Sequence, residues 1–256
     1  EVGVYTLAEN PEEVCAEVMH RKSAESVFEL EINYQDASTY SVFLPAYSMI
    51  GAPIVKTEEK MDIKDKDFGI TIAGVNSLFP AGDARREAYF YHLDDPEWQE
   101  AGLAYLYKWR YARYGASVAG EVWLKGMDVN RVIFRLADMY LLRAECRVKM
   151  NDPAGAKADL NVIRDRAEAK LWPAEGDSGD LQYDIFKERE KELLYEGHRY
   201  YDVVRNGYWK TELQGGFNDL SVEDVKDGAL YLPVPQTAFS QNDLMIQNTF
   251  WASKMK

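Results

Sequence analysis

Arg189, Glu192, Glu196 and Arg199 follow one another at steps of three, four and three residues in the stretch "EREKELLYEGHR". That is helical spacing, and upstream the same stripe is apolar, with Leu181 and Ile185 on it, so the charges continue a face that should look into a core. Two acids one helical turn apart could serve as the general acid and base of a glycosidase, whose carboxyls lie about 5–10 Å apart. Alternatively, Arg189 and Arg199 each neutralise one acid and lock the helix against its neighbours. Flanking guanidiniums lower carboxyl pKa values, whereas a general acid needs one raised, so the charge count favours the structural reading over catalysis. An exposed ladder of helix pairs is a third, weaker option.

The elements that would position these charges are helical. In "RVIFRLADMYLLRAECRVKM", residues 131–150, Ile133, Ala137, Tyr140, Ala144 and Val148 recur every three or four residues and predict a long core-facing helix. Asp152 can cap the next helix, with Pro153 at its first position, and Ala156, Leu160, Ile163 and Ala167 give that helix a narrow, small-sided stripe. The two predict an antiparallel hairpin of tetratricopeptide type, which cannot bury both faces alone. A third helix, from about Asp180 to Glu196, carries the charged stripe, and Gly197 then loosens the chain.

Before residue 130 the pattern is less regular. Residues 12–22 read as a short helix, "SVFELEINY" and "LAYLYKWRYARYG" as strands, and "GDARREAYFY" as a helix capped by Asp83. "IGAPIVKTEEKMDIKDKD" and "HLDDPEWQEAG" read as surface loops. Near the C-terminus "ALYLPVPQTAFSQNDLMIQNTFW" predicts a short strand before two prolines, a brief helix and an irregular tail.

The 256 residues are 46% hydrophobic and 29% charged, enough for one large domain or two modest ones. A formal net charge of −13 would repel a phosphate backbone, which argues against a nucleic-acid partner. Cys15 and Cys146 are too few and too far apart for a zinc knuckle or a redox pair and read as two structural thiols. The three histidines are isolated in sequence, so no metal site is expected. Walker, GxGxxG and GxSxG patterns are absent, and no cofactor is implied. Nothing approaches the ~20 consecutive apolar residues of a membrane span, and the first residues lack the features of a signal peptide.

"RLADMYLLRAEC", "DLNVIRDRA", "EREKELLYEGHRYYDVVRNG" and "LPVPQTAFSQNDLMIQN", in that order and spacing, resemble the C-terminal part of the SusD/RagB family of outer-membrane nutrient-binding lipoproteins. "GDARRE" and "ESVFELEINY" resemble two further elements of that family. The resemblance implies a mostly α fold of tetratricopeptide-like hairpins with a loop-rich region and a few short strands. It implies a ligand-side region over residues 1–129 and a repeat-like region with a tail over 130–256. It also implies a surface-exposed, lipid-anchored protein that binds oligosaccharide, in some members peptide, and hands it to a SusC-like TonB-dependent transporter without cleaving it. The anchor and most repeat helices would lie upstream of Glu1, and the helix carrying Arg189 to Arg199 would be scaffold.

A glycan binder needs flat aromatic faces beside amides or carboxylates, and loops supply both. Tyr34, Tyr40 and Tyr47, interleaved with Asn33, Gln35 and Asp36, are the first candidates, since the resemblance places them in a variable region that contributes to the site. Trp98, with Asp94, Asp95 and Gln99, is the second. For any one tyrosine, packing against its own domain is the simpler alternative. Trp109 and Tyr111 read as core. The function expected is cell-surface oligosaccharide binding; a glycoside hydrolase using Glu192 and Glu196, or a repeat scaffold that binds only protein, are the rivals.

Overall fold

The computed structural model describes residues 4–31, 54–56, 59–62, 70–94, 102–116, 122–127, 129–240, 242 and 244–254. The chain forms two compact units, Glu1–Gly197 and His198–Lys256.

The first unit opens with α1, Pro11–Glu13, whose cap Asn10 accepts the Glu13 amide. It passes into a π-helical turn, Val14–Val18, that buries Val14, Cys15 and Val18. The short elements that follow are β1 (Ser26–Leu30), β2 (Ile54–Lys56), β3 (Glu59–Asp62), β4 (Ile70–Thr71), α2 (Ile72–Leu78), α3 (Arg85–Tyr89), β5 (Phe90–Tyr91), β6 (Leu103–Leu106), β7 (Ala112–Ala116), β8 (Val122–Met127) and β9 (Arg131–Arg135). All pair antiparallel: β1 with β9, β2 with β3, β7 with β8, and β6 between β4 and β5. Their core gathers Phe79, Tyr89, Phe90, Leu106 and Trp109 around the buried π turn.

Several expectations change in this region: residues 54–56 and 59–62, read as part of a loop, pair as β2 and β3, and the helix of "GDARREAYFY" stops at Tyr89, with Ala84 rather than Asp83 at its N-cap position and Phe90–Tyr91 extended as β5. Residues 131–135 form a strand and not the first turn of a helix, because Val132, Ile133 and Phe134 favour extended backbone and β1 offers a partner, with Phe28 opposite Phe134. "LAYLYKWRYARYG" breaks between Leu106 and Ala112, where Lys108 turns inward and is fully buried. Trp109 is core, but Tyr111 is 37% exposed, stacks on His20 at 3.8 Å and donates its hydroxyl to the Ala16 carbonyl at 2.7 Å.

The helical hairpin is α4, Leu136–Lys149, and α5, Pro153–Arg166. Asp152 accepts the Gly155 amide at 2.9 Å as the cap of α5. The asparagine before it turns the chain with φ 58°. Ala137, Leu141, Ala144, Ala156, Leu160 and Ile163 are fully buried, so small residues face each other where the helices close. Ile185 of α6, Leu181–Glu192, completes this core. The fold is thus mostly helical, tetratricopeptide-like in its hairpin, with a few short strands. Asp152→Ala is expected to lower stability by about 1 kcal/mol, the usual worth of an N-cap; an unchanged urea midpoint would show that the cap contributes nothing.

The two cysteines part company. Cys15 is buried, donates to the Ala88 carbonyl at 3.4 Å, and burial pushes its thiol up to about 12. Cys146 is an exposed free thiol on α4, so it is not a core residue.

In the second unit α7 (Arg199–Asn206) ends on Gly207, whose φ of 76° suits a residue without Cβ. After it come α8 (Trp209–Glu212), α9 (Val222–Lys226), α10 (Gln236–Phe239) and α11 (Thr249–Lys254). Ala229 and Leu230 are buried in a turn, and the strand expected over "ALYL" does not form. Among the described residues no helix is long and apolar enough to cross a membrane.

Candidate functional site

The charged stripe leads into the interior of the first unit. Glu192 is 0% exposed and meets three guanidiniums: Arg135 at 2.7 Å, Arg85 at 3.3 Å and Arg166 in a close contact. Arg85 also pairs with Asp83 and Glu188, each at 2.7 Å. Arg135 and Arg166 both reach Glu25, at 2.8 and 2.9 Å. Five cations, Arg85, Lys108, Arg135, Arg164 and Arg166, therefore face five carboxylates, those of Glu25, Asp83, Glu188, Glu192 and Glu196, all buried. The cluster draws on the residue before β1, on α3, the break after β6, β9, α5, α6 and the turn after it, so it fastens the loop-rich part to the hairpin.

Glu196 is not on α6. That helix ends at Glu192, and the turn after it carries Tyr195 at φ 61° and Gly197 at φ 93°. The turn brings the Glu196 carboxylate back inward, where it accepts from Arg135 at 2.8 Å and pairs with Lys108. Lys108 also donates to the main-chain carbonyl of Glu192 at 2.9 Å, so the ammonium holds the helix end.

The stripe's arginines go elsewhere than expected. Arg189 donates to Asp138 of α4 at 2.6 Å, and Arg199 starts α7 in the second unit, where it donates to Glu212. The guanidiniums that meet Glu192 come from positions 26 to 107 residues away along the chain.

These surroundings decide the protonation states. Burial opposes ionisation of Glu192, but Arg166, Arg135 and Arg85 outweigh it and hold the carboxyl well below the usual range. For Glu196 burial is likewise overcome, by Arg135 and Lys108, and its pKa falls to about 2. Glu188 is lowered too, with burial overcome mainly by Arg85. A general acid must hold a proton near neutral pH and reach its substrate; Glu192 and Glu196 are ionised and sealed.

Tyr34, Gln35, Asp36, Tyr40, Tyr47 and Trp98 lie outside the described residues, as do Asn33, Asp95 and Gln99. Asp94, four residues before Trp98 in sequence, accepts a bidentate fork from Arg86 at 2.6 and 2.8 Å. Other tryptophans have internal tasks: Trp172 donates its indole N–H to Asp184 at 2.9 Å, and Trp209 is buried.

Comparison with known proteins places this geometry. The sequence model of the SusD family matches residues 93–251, and the chain belongs to that family. Over 128 residues it is 34% identical to SusD-like protein P25 of Formosa agariphila, a match covering 46% of this chain and 24% of that protein. Over 221 residues it is 26% identical to the starch-binding protein SusD of Bacteroides thetaiotaomicron, covering 80% of this chain and 37% of that one. Among solved structures, a SusD homolog from Bacteroides thetaiotaomicron superposes with a TM-score of 0.70 at 24% identity, over 97% of this chain and 51% of that chain. Surface glycan-binding protein A from Bacteroides thetaiotaomicron gives 0.64 at 18% identity, over 97% and 56%. The chain thus spans 24% and 37% of the two sequence relatives and about half of the solved homologues, and these structural likenesses establish the fold.

Proposed function

We propose that this chain is the C-terminal part of a cell-surface protein that binds oligosaccharide or polysaccharide for uptake and passes it on uncleaved. Membership of the SusD family supports this, together with relatives named for starch and surface-glycan binding. The observation that carries the non-catalytic half is the sealed, ionised state of Glu192 and Glu196. In this reading residues 1–129 supply the ligand side and 130–256 the repeat side and tail. A lipid anchor on a longer protein holds it at the outer membrane, over a SusC-like TonB-dependent transporter that takes the glycan.

Tyr34, Tyr40, Tyr47 and Trp98 provide stacking faces, with Gln35 and Asp36 for hydroxyls. Affinity electrophoresis through gels containing single polysaccharides tests the assignment. A retarded parent, with retardation weakened about tenfold in Trp98→Ala or in a Tyr34→Ala/Tyr40→Ala pair and no change in the thermal transition, is the expected result. Mutants and parent migrating alike on every retarding glycan would remove these loops from the site.

A further inference from the structure

The structure holds a groove of about 700 Å³ between α2, the loop from Ala169 to Ser178, and α6. Ligand sites span ~300–1,000 Å³, so the space suits an oligosaccharide segment. Its floor is fixed by internal bonds. Arg164 donates to Asp177 at 2.9 Å and to Glu188 at 2.8 Å. Asp177 accepts the Ala174 amide at 2.7 Å, and Asp184 accepts the Ser178 amide at 2.8 Å. The loop is therefore tied to α5 and α6 before any ligand arrives, which lowers the ordering cost of binding.

The rim differs from the floor. The side chains of Ser77, Lys170, Glu175 and Lys191 line the groove and make no hydrogen bond with the described residues, although the Lys191 charge acts on Glu188. They offer a hydroxyl, two ammonium donors and a carboxylate acceptor. Tyr183, its half-buried ring tilted on Phe186 at 5.8 Å, lines the same groove with Leu78 and Pro80. Apolar faces beside side-chain donors and acceptors are what a pyranose chain requires.

Charge narrows the class. The lining carries more carboxylates than cations, Asp83, Asp184 and Glu190 among them, which disfavours an anionic chain. We propose that this groove is an oligosaccharide subsite whose own lining, without Tyr34 or Trp98, holds neutral glycans in preference to anionic ones; the inference rests on the function proposed above.

Hydrogen exchange and calorimetry on the chain, with maltoheptaose, cellohexaose, xylohexaose and mannohexaose as neutral probes and hexagalacturonate as the anionic one, test it. At least one neutral probe should slow amide exchange in 169–178 and 183–191. Ser77→Trp, which fills the groove from an exposed position, and Lys170→Ala/Lys191→Ala should each weaken that probe about tenfold. Trp98→Ala should leave the slowing in these segments in place. A probe that binds without slowing exchange there, or equal affinity in both groove variants, would remove the subsite and leave the proposed function standing. Slowing by hexagalacturonate would overturn the neutral class, and no binding of any probe would overturn the subsite.

Discussion

Glu192→Gln should cost about 3–5 kcal/mol of folding free energy, as expected when one member of a fully buried ion cluster is removed. The amide is nearly the same size, so no cavity forms; what is lost is the negative charge facing Arg85, Arg135 and Arg166. These guanidiniums cannot shed their protons, so three positive charges that meet at position 192 would lose their shared counter-charge out of contact with water. Domains of this size are stable by only ~5–15 kcal/mol, so the variant would be visibly impaired in urea. Glu31→Gln is the contrast: its pair with Lys22 is 63% exposed on each side, and such pairs contribute about 0–1 kcal/mol. A midpoint for Glu192→Gln within the range of Glu31→Gln would mean that the cluster does not hold the fold.

The second large effect is acid sensitivity. Glu192, Glu196 and Glu188 all titrate below the ordinary 4.5 in the folded chain, Glu196 at about 2. A carboxyl with a depressed folded pKa contributes stability that is fully present above its unfolded value and is lost as pH falls through its folded value. From Glu196 alone, a drop from 4.5 to about 2 corresponds to on the order of 3 kcal/mol. Urea midpoints should therefore stay level for these groups from pH 7 to 5 and then fall as the pH goes from 4.5 toward 2. A fall already between pH 7 and 5, caused by Glu192 or Glu196, would mean a raised carboxyl pKa and would reopen acid catalysis.

The hairpin was legible in the sequence because local chemistry specifies it: Asp152 and Pro153 start α5, and Ala144 and Ala156 let the helices close. The stripe was legible as inward-facing, since Leu181 and Ile185 announce a buried face. Its partners were not. Periodicity describes neighbours three and four residues apart, whereas Glu192 meets Arg85, which lies 107 residues away, and Glu196 meets Lys108, 88 residues away. Tyr195 adopts a left-handed φ of 61°, so Glu196 leaves the helix that the spacing extends through it. Two signals stood in plain view. Arg85 belongs to the "GDARRE" element, and Arg135 ends a run of β-branched and aromatic residues where an exposed cation has no reason to be. Likewise Ile133 continues the helical stripe upstream, yet β1 captures residues 131–135 as a strand because sheet pairing overrides a one-turn pattern.

The claim beneath all of this is that the chain captures glycan and that its buried glutamates never handle a proton for it. Incubating the chain with a polysaccharide that retards it, and measuring bound glycan and new reducing ends in the same sample, tests this most directly. Saturable capture with reducing ends no higher than in the protein-free control is the predicted result. Reducing ends that accumulate with time, and vanish in Glu192→Gln while capture persists, would contradict it.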